Sequence, residues 1–459
     1  MNLDSIFFIS VFLPLVLALY YLVSDLRLKN TLLLLAGLVF YACGSLYSLL
    51  VLVIIAFLNF LLGKCTAKKW LLVLGIGFNL AILFGYKFLD LAQQGYSGRM
   101  QITADLIPLL GISFFTFKAI SYLVDTYKDP AKRAENFGAF LLYLSFFPQI
   151  MAGPITRFED FAPQLKARQP GKKTLLPGIR RFVVGLGKKL ILAGTLANVV
   201  DPVFALDAGL LDARLAWIGA LGYTLQIYFD FSGYSDMAIG LAGMFGFETG
   251  ENFRYPYIAT TIGDFWRRWH ISLSSWFRDY LYIPLGGNRK GLLRAGINKM
   301  VVFTLCGLWH GVTATFLLWG LWHGLLSALE SLKVIPAEKL RRVPVVGHIY
   351  TLLAVCLGFV MFRAGSVSQG FAIIGAMFTG FTPSIAGTVT WAGLYSGKAV
   401  TVFILSALLC FPWFSLTEKS PGLRRALNMA SYPAVLILLV LCLVKLASGG
   451  FAPFIYAQF

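Results

Sequence analysis

Three of the four histidines, His270, His310 and His323, fall in one stretch of the 459-residue chain. Imidazole titrates near neutrality, so it is the side chain best suited to take a hydroxyl proton and return it. His310 and His323 both lie in KMVVFTLCGLWHGVTATFLLWGLWHGLLSALE, each inside a Trp-His-Gly triplet. A polar ring in so apolar a run needs a hydrogen-bond partner, and the plainer reading of either histidine is a satisfied core residue. Their spacing of 13 residues is about 220° around one straight helix. They point to different sides unless the helix breaks near Gly311 or Gly320. His310 sits nearer the middle of the segment from about 300 to 331, between Gly307 and Gly311, with room for a substrate beside it. It is therefore taken as the site residue and His323 as the packed one.

His270 belongs to a different kind of stretch, ENFRYPYIATTIGDFWRRWHISLSSWFRDYLYIPLGGNRKG, which begins at Glu251. No run within it is apolar enough to span a bilayer. On a helix, Trp266, His270, Leu273 and Phe277 share one face, and Arg267, Ile271, Ser274 and Arg278 share another. This pattern reads as an interfacial or re-entrant helix with an aromatic belt and snorkelling arginines. The sharper alternative is that the helix dips inward and presents His270 to an internal cavity. Upstream, YFDFSGYSDMAIGLAGMFGF carries Asp230 and Asp236 in an otherwise apolar segment from 215 to 245. Buried carboxylates need partners. The basic residues of 254–278, or His270, are the expected ones, either as a structural ion pair or as a carboxylate that orients a catalytic imidazole.

The elements that position these residues are membrane helices. Hydrophobic residues make up 58% of the chain and charged residues only 13%, and the mean hydropathy is +0.75. Half the usual charge cannot cover a soluble body of this size, which excludes a soluble enzyme, a disordered chain and a secreted disulfide scaffold. The apolar runs at 6–23, 31–62 and 70–89 are long and unbroken, unlike the short alternating segments of outer-membrane strands. At ~20 residues per crossing the chain holds roughly 10–12 membrane segments. The run 31–62 reads as a hairpin turning near Gly44, and 137–152 as re-entrant. The first segment lacks a basic leader and a small-residue cleavage site, so it is not a cleavable signal. Arg27 and Lys29 follow it, which places the N-terminus outside the cell by the positive-inside bias.

Lys plus Arg outnumber Asp plus Glu by 39 to 21, giving +18. Positive-inside topology and contact with anionic lipid account for most of this. A cytoplasmic anionic ligand is the sharper reading, and nothing favours nucleic acid. None of the six cysteines forms a CxxC pair, so neither a disulfide nor a bound metal is expected. No polar stretch is long enough for an appended soluble domain, and a single domain over 1–459 is expected, with a catalytic core at about 215–331.

The run from YFDFSGYSDMAIG through NFRYPYIATTIGDFWRRWHISLSSWFRDYLYIPLGGNR to LWHG resembles the membrane-bound O-acyltransferase family, in its bacterial alginate and polysaccharide O-acetyltransferase branch. FFPQIMAGPITRFEDF at 146–161, GISFFTFKAISYLVD at 111–125 and the closing FIYAQF at 454–459 also fit. The resemblance implies an all-α polytopic fold: a ring of membrane helices and re-entrant or interfacial helices around a central tunnel. It implies that His310 of LWHG is the central catalytic histidine and His270 of WRRWHIS the second. Along the same motifs, Trp309, Trp266, Trp269, Trp276 and Asp230 are expected to line the tunnel or bind substrate. So are Tyr234, Asp236, Arg278, Asp279 and Asn288. Arg267, Arg268, Lys290 and Arg294 are plausible contacts for the phosphates of the acyl donor, acetyl-CoA, which is a substrate and not a resident cofactor.

The implied activity is acetyl transfer from a cytoplasmic thioester across the cell membrane to an exported polysaccharide such as alginate. A Ser-His-Asp hydrolase-like extracytoplasmic partner is implied to complete it. In the mechanism so implied, His310 takes the hydroxyl proton, while His270 polarises the carbonyl, holds the acceptor or orients His310. Within the family the alternatives are a teichoic acid D-alanyl transferase and a peptidoglycan O-acetylation subunit. From another class, intramembrane Asp and His could form the proton relay of a transporter. Transporters usually show internal repeats, and this chain has none.

Overall fold

The computed structural model describes residues 1–66, 68–95, 111–383, 388, 396–413 and 420–449. The closing FIYAQF and Lys419 lie outside the described residues. Among those described, regular structure is entirely helical. They group into two compact units, Met1–Val183 with Tyr234–Glu251, and Val184–Gly233 with the described residues from Asn252 to Gly449.

The first unit opens with a π-helical turn, Phe8–Phe12, leading into α1 (Leu13–Leu22). α2 (Leu26–Ala42) starts where the Asp25 carboxylate accepts from Leu28 N, and α3 (Leu46–Cys65) where Ser45 accepts from Ser48 N. Such caps satisfy amides that the first helical turn leaves open. The turn between α2 and α3 spans Cys43–Ser45, so the run 31–62 is the hairpin at Gly44 that its length requires. α4 (Lys69–Gly95) pairs with α3 through buried amides: Asn59 Nδ2 donates to Asn79 Oδ1 at 3.1 Å, and Asn79 Nδ2 to Asn59 Oδ1 at 2.7 Å. α5 (Ile112–Lys128) is buried along most of its length, and the amine of its Lys118 donates to the Tyr143 carbonyl. α6 (Phe137–Ser145) has nine residues, ~14 Å of helix, too short to cross ~30 Å of hydrocarbon. A 3-10 turn, Phe147–Gln149, follows it, and the segment is covered by protein, in keeping with its re-entrant reading.

The divisions at 183/184 and 233/234 fall inside helices, and that at 251/252 falls in a loop. α7 (Lys172–Gly187) runs through a π-helical turn, Lys188–Ala193, into α8 (Gly194–Ala205), and α9 spans Ala213–Met244. In the second unit, α10 (Ile262–Arg268) and α11 (Ile271–Phe277) are short. α12 (Gly291–His310) and α13 (Ala314–Ser331) form a tight hairpin. A Cβ at Gly307 would stand 2.4 Å from the Phe316 carbonyl oxygen, and one at Gly320 2.4 Å from that of Phe303. Only glycine lets the two backbones approach this closely, as is common where membrane helices pack. α14 (Pro344–Arg363), α15 (Val367–Thr379), α16 (Gly397–Leu409) and α17 (Pro421–Ala447) complete the unit.

Among the described residues, six helices are long and apolar enough to cross a membrane, and three shorter apolar helices accompany them. Apolar runs in the sequence also include α5 and α6, which the structure makes short and wraps in protein. The chain is an all-α, multi-pass membrane protein.

Candidate active site

α12 ends at His310. Gly311 and Thr313 are extended, with ψ of 154° and 155°, and α13 begins at Ala314. The helix therefore breaks at Gly311, the condition under which the two Trp-His-Gly histidines can approach one another. Trp319 joins them: its ring lies 5.1 Å from that of His310 and 5.2 Å from that of His323. His310 is further framed by Trp309 at 4.6 Å and by Phe362 of α14 at 5.1 Å. His323 packs edge-to-face on Trp266 of α10 at 5.2 Å, and Trp266 packs in turn on Trp319 at 5.7 Å. Both histidines are buried. Six residues from four helices thus make one aromatic cluster, and His323 belongs to it instead of standing apart in the core.

His270 departs from the helix expected across 266–278. Its backbone takes φ 43° and ψ 56°, the left-handed region that residues with a Cβ enter at a cost. α10 stops before it and α11 starts after it. The amide of Ile271 donates to the Asn252 carbonyl at 2.9 Å, outside any helical bond. Trp266 and His270 consequently do not share a face: Trp266 joins the cluster above, and His270 packs on Phe231 at 4.6 Å. Neither a hydrogen bond nor a ring contact links His270 to His310, so His270 does not orient His310 directly.

The side chain of Asn252 sets the chemistry of His270. Asn252 Oδ1 accepts from Ser272 N at 3.2 Å and from Ser272 Oγ at 2.9 Å, and His270 Nδ1 lies 3.2 Å from it. A backbone N–H can only donate, so the atom facing it is the amide oxygen, and His270 Nδ1 must carry the proton. Burial lowers the His270 pKa to about 3 and keeps the ring neutral. Nε2 then holds the lone pair, buried and without a hydrogen-bond partner among the described residues. An imidazole in this tautomer can accept a hydroxyl or its proton at Nε2. It cannot donate there to polarise a carbonyl, which removes one of the roles expected of it.

The carboxylates find other partners than those expected. Asp230 pairs at 2.9 Å with Lys189, both nearly fully buried. Lys189 lies in the π-helical turn, and that turn rests on Gly233, where a Cβ would stand 3.0 Å from Lys189 N. A cation for Asp230 thus comes from an earlier segment than the expected 254–278. Asp236, in the first unit, accepts from Arg181 Nε at 3.0 Å and Nη2 at 2.9 Å, and the same guanidinium reaches Glu251. Each of these is a helix tie of the structural kind. Tyr234 is buried in that same unit.

Trp269 is buried against Phe253 and Phe359, and Trp276 against Phe277 and Tyr280. Arg278 pairs with its neighbour Asp279 at 2.7 Å. Asn288 is exposed and accepts from the Tyr282 hydroxyl, which closes its own loop and keeps it out of the aromatic cluster. Arg267 and Arg268 both pair with Asp264, but the Arg267 side chain is 62% exposed while that of Arg268 is 33% exposed. Lys290 and Arg294 are exposed. Sequence reasoning missed Trp319 and Asn252. Asn252 stood in the quoted NFRYP motif, and its one signal was an amide directly before an aromatic stretch.

The profile of the membrane-bound O-acyltransferase family matches residues 101–368. The chain is 37% identical to a probable alginate O-acetylase of Pseudomonas putida, over 98% of this chain and 99% of that protein. It is 38% identical to a peptidoglycan O-acetyltransferase of Helicobacter pylori, over 67% and 66% of the two chains. It is 28% identical to a teichoic acid D-alanyltransferase of Bacillus subtilis, over 56% and 69%. A buried histidine with a directed ring nitrogen, set in a helical membrane body, fits the acyl transfer that these names share, and the chain belongs to the membrane-bound O-acyltransferase family.

Proposed function

We propose that this O-acyltransferase moves an acetyl group from cytoplasmic acetyl-CoA across the cell membrane for O-acetylation of an exported polysaccharide, alginate being the nearest named one. The observation that carries this reading is the near full-length likeness to alginate O-acetylases, joined to a neutral His270 whose Nε2 lone pair is directed by Asn252. The acceptor hydroxyl oxygen attacks the thioester carbonyl, and its proton passes to a ring nitrogen of His310. The carbon–sulfur bond breaks, and the leaving thiolate takes that proton, so the histidine ends as it began. His270 Nε2 holds the acceptor by accepting a hydrogen bond from a second hydroxyl of the polysaccharide, beside the one that reacts. A buried aromatic frame keeps water from competing for the thioester.

Acetyl-CoA is large and anionic and does not cross a bilayer, so the donor binds from the cytoplasm, against Arg267, Lys290 and Arg294, where exposed cations meet its phosphates. In the inner-membrane orientation inferred from the basic loops, the N-terminus is extracytoplasmic, and a hydrolase-like partner outside completes transfer to the polymer. The likeness to a peptidoglycan O-acetyltransferase makes peptidoglycan the second acceptor to test.

The test is acetyl-CoA turnover by protein purified in detergent and in sided vesicles, with alginate and peptidoglycan fragments as acceptors and the extracytoplasmic partner present. Donor on the cytoplasmic face is expected to support acetylation. Turnover only with donor on the opposite face overturns the sidedness, and ion flux without turnover overturns the enzyme reading.

A further inference from the structure

The seven-residue α10 presents its first amides to one side chain from another helix. Glu330, at the end of α13, accepts from Ile262 N at 2.6 Å through Oε1 and from Gly263 N at 2.9 Å through Oε2. The Tyr350 hydroxyl of α14 donates to the same Oε1 at 3.3 Å. Thr261 Oγ1 takes the next amide, Asp264 N, at 3.0 Å. The first three amides of α10 are thus all satisfied, two of them by a carboxylate placed at the positive end of the helix. A Cβ on Gly263 would stand 3.3 Å from Glu330 Oε2, so the carboxylate sits flush against the backbone.

The position of this cap gives it consequences for the site. Glu330 stands two turns beyond His323 on α13, and the amides it holds lie one turn before Trp266 on α10. Trp266 contacts His323 and Trp319, and Trp319 contacts His310. On the other side α10 ends at Arg268, two residues before the left-handed His270. A helix of seven residues has little stability of its own, and its register relative to α13 is fixed at its start by two charge-assisted hydrogen bonds.

We propose that Glu330 is a positioning residue for acyl transfer: its carboxylate latches α10 to α13 and thereby fixes Trp266, and through it Trp319 and His310, in one register with His270. The inference rests on the acyl-transfer reading above. Glu330 touches no substrate in this account and acts only through the helix that it caps.

The test compares wild-type protein, Glu330→Ala and Glu330→Gln, each purified in detergent, for kcat, acetyl-CoA KM and thermal melting. Displacing a catalytic group by an ångström costs on the order of 100-fold in rate. Glu330→Ala is therefore expected to lower kcat per folded molecule by roughly 10–100-fold, with donor KM within about twofold. Glu330→Gln keeps the volume and one acceptor oxygen, and its kcat falls between the two. A merely structural glutamate lowers yield or melting temperature and leaves kcat per folded molecule intact, and that result overturns the proposal. Wild-type kcat in the Gln variant overturns it equally should the Ala variant fail to fold, and so does a loss confined to KM. Absence of turnover in the wild-type protein sinks the acyl-transfer reading itself, whereas an active wild type with equally active variants sinks only the latch.

Discussion

Asn252→Ala is the sharpest probe of the site, because one oxygen atom determines which nitrogen of His270 is basic. In the native protein Asn252 Oδ1 receives the Nδ1 proton of His270 and two donors from Ser272. Without it, a fully buried Nδ1–H has no acceptor, a penalty of about 1–3 kcal/mol. The ring escapes that penalty by moving its proton to Nε2, which abolishes the lone pair there, or by rotating. Either route depletes the productive state by the factor that this energy represents, roughly 5–150-fold at about 1.4 kcal/mol per tenfold. Acetyl transfer measured in single turnover with labelled acetyl-CoA is expected to slow by that range, with the donor KM little changed. Asn252→Asp keeps an acceptor oxygen and is expected to retain more activity than the Ala variant. Asn252→Ala with wild-type single-turnover rates, alongside an inactive His270→Ala, refutes the tautomer argument and leaves His270 with a role that does not depend on its Nε2 lone pair.

His310→Ala is expected to abolish acetyl transfer at normal expression and membrane insertion. Wild-type polymer acetylation in that variant removes His310 from the mechanism, and an active His310→Ala beside an inactive His323→Ala transfers its role to His323. Arg267→Glu is expected to raise the apparent acetyl-CoA KM severalfold, and high salt to raise the wild-type KM in the same direction, since an exposed contact is screened over ~8–10 Å at physiological ionic strength. An unchanged KM with reduced yield instead makes Arg267 a headgroup anchor. Asn59→Ala is expected to destabilise the α3–α4 pair by roughly 0.6–2 kcal/mol and to lower the melting temperature without changing kcat, and a kcat loss at unchanged stability contradicts the purely structural account of the amide pair.

The parts of this molecule that local composition dictates are legible in its sequence. An apolar run of 31–62 is too long for one crossing and too short of polar residues for a loop, so it folds back, and the turn falls at the one glycine flanked by Cys and Ser. The two Trp-His-Gly histidines could share a neighbourhood only if the helix broke near Gly311 or Gly320, and it breaks at Gly311. What escaped the sequence depends on residues far apart along the chain. FWRRWHIS holds neither proline nor glycine, so nothing local says that helix stops at His270. The stop is imposed by Asn252, eighteen residues earlier, whose carbonyl and side chain capture the amides of Ile271 and Ser272. Asp230 likewise found Lys189, forty-one residues before it, through a π-helical turn that leaves no mark in the sequence.

These escaped contacts share one physical cause. In a water-poor interior every polar group must be matched, and a group left unmatched costs more than the same group at a surface. The chain answers differently at each place. Asp230 is paired with a buried lysine, which ties helices. The first amides of α10 are matched by a carboxylate that carries charge at the helix start. His270 is matched on one side only, Nδ1 held by Asn252 and Nε2 left with its lone pair among aromatic rings. At His270 a left-handed backbone and an unmet hydrogen-bonding capacity coincide in one residue. That coincidence is what a prepared acceptor for a substrate hydroxyl requires, because the lone pair is oriented before the substrate arrives and needs no reorganisation when it binds.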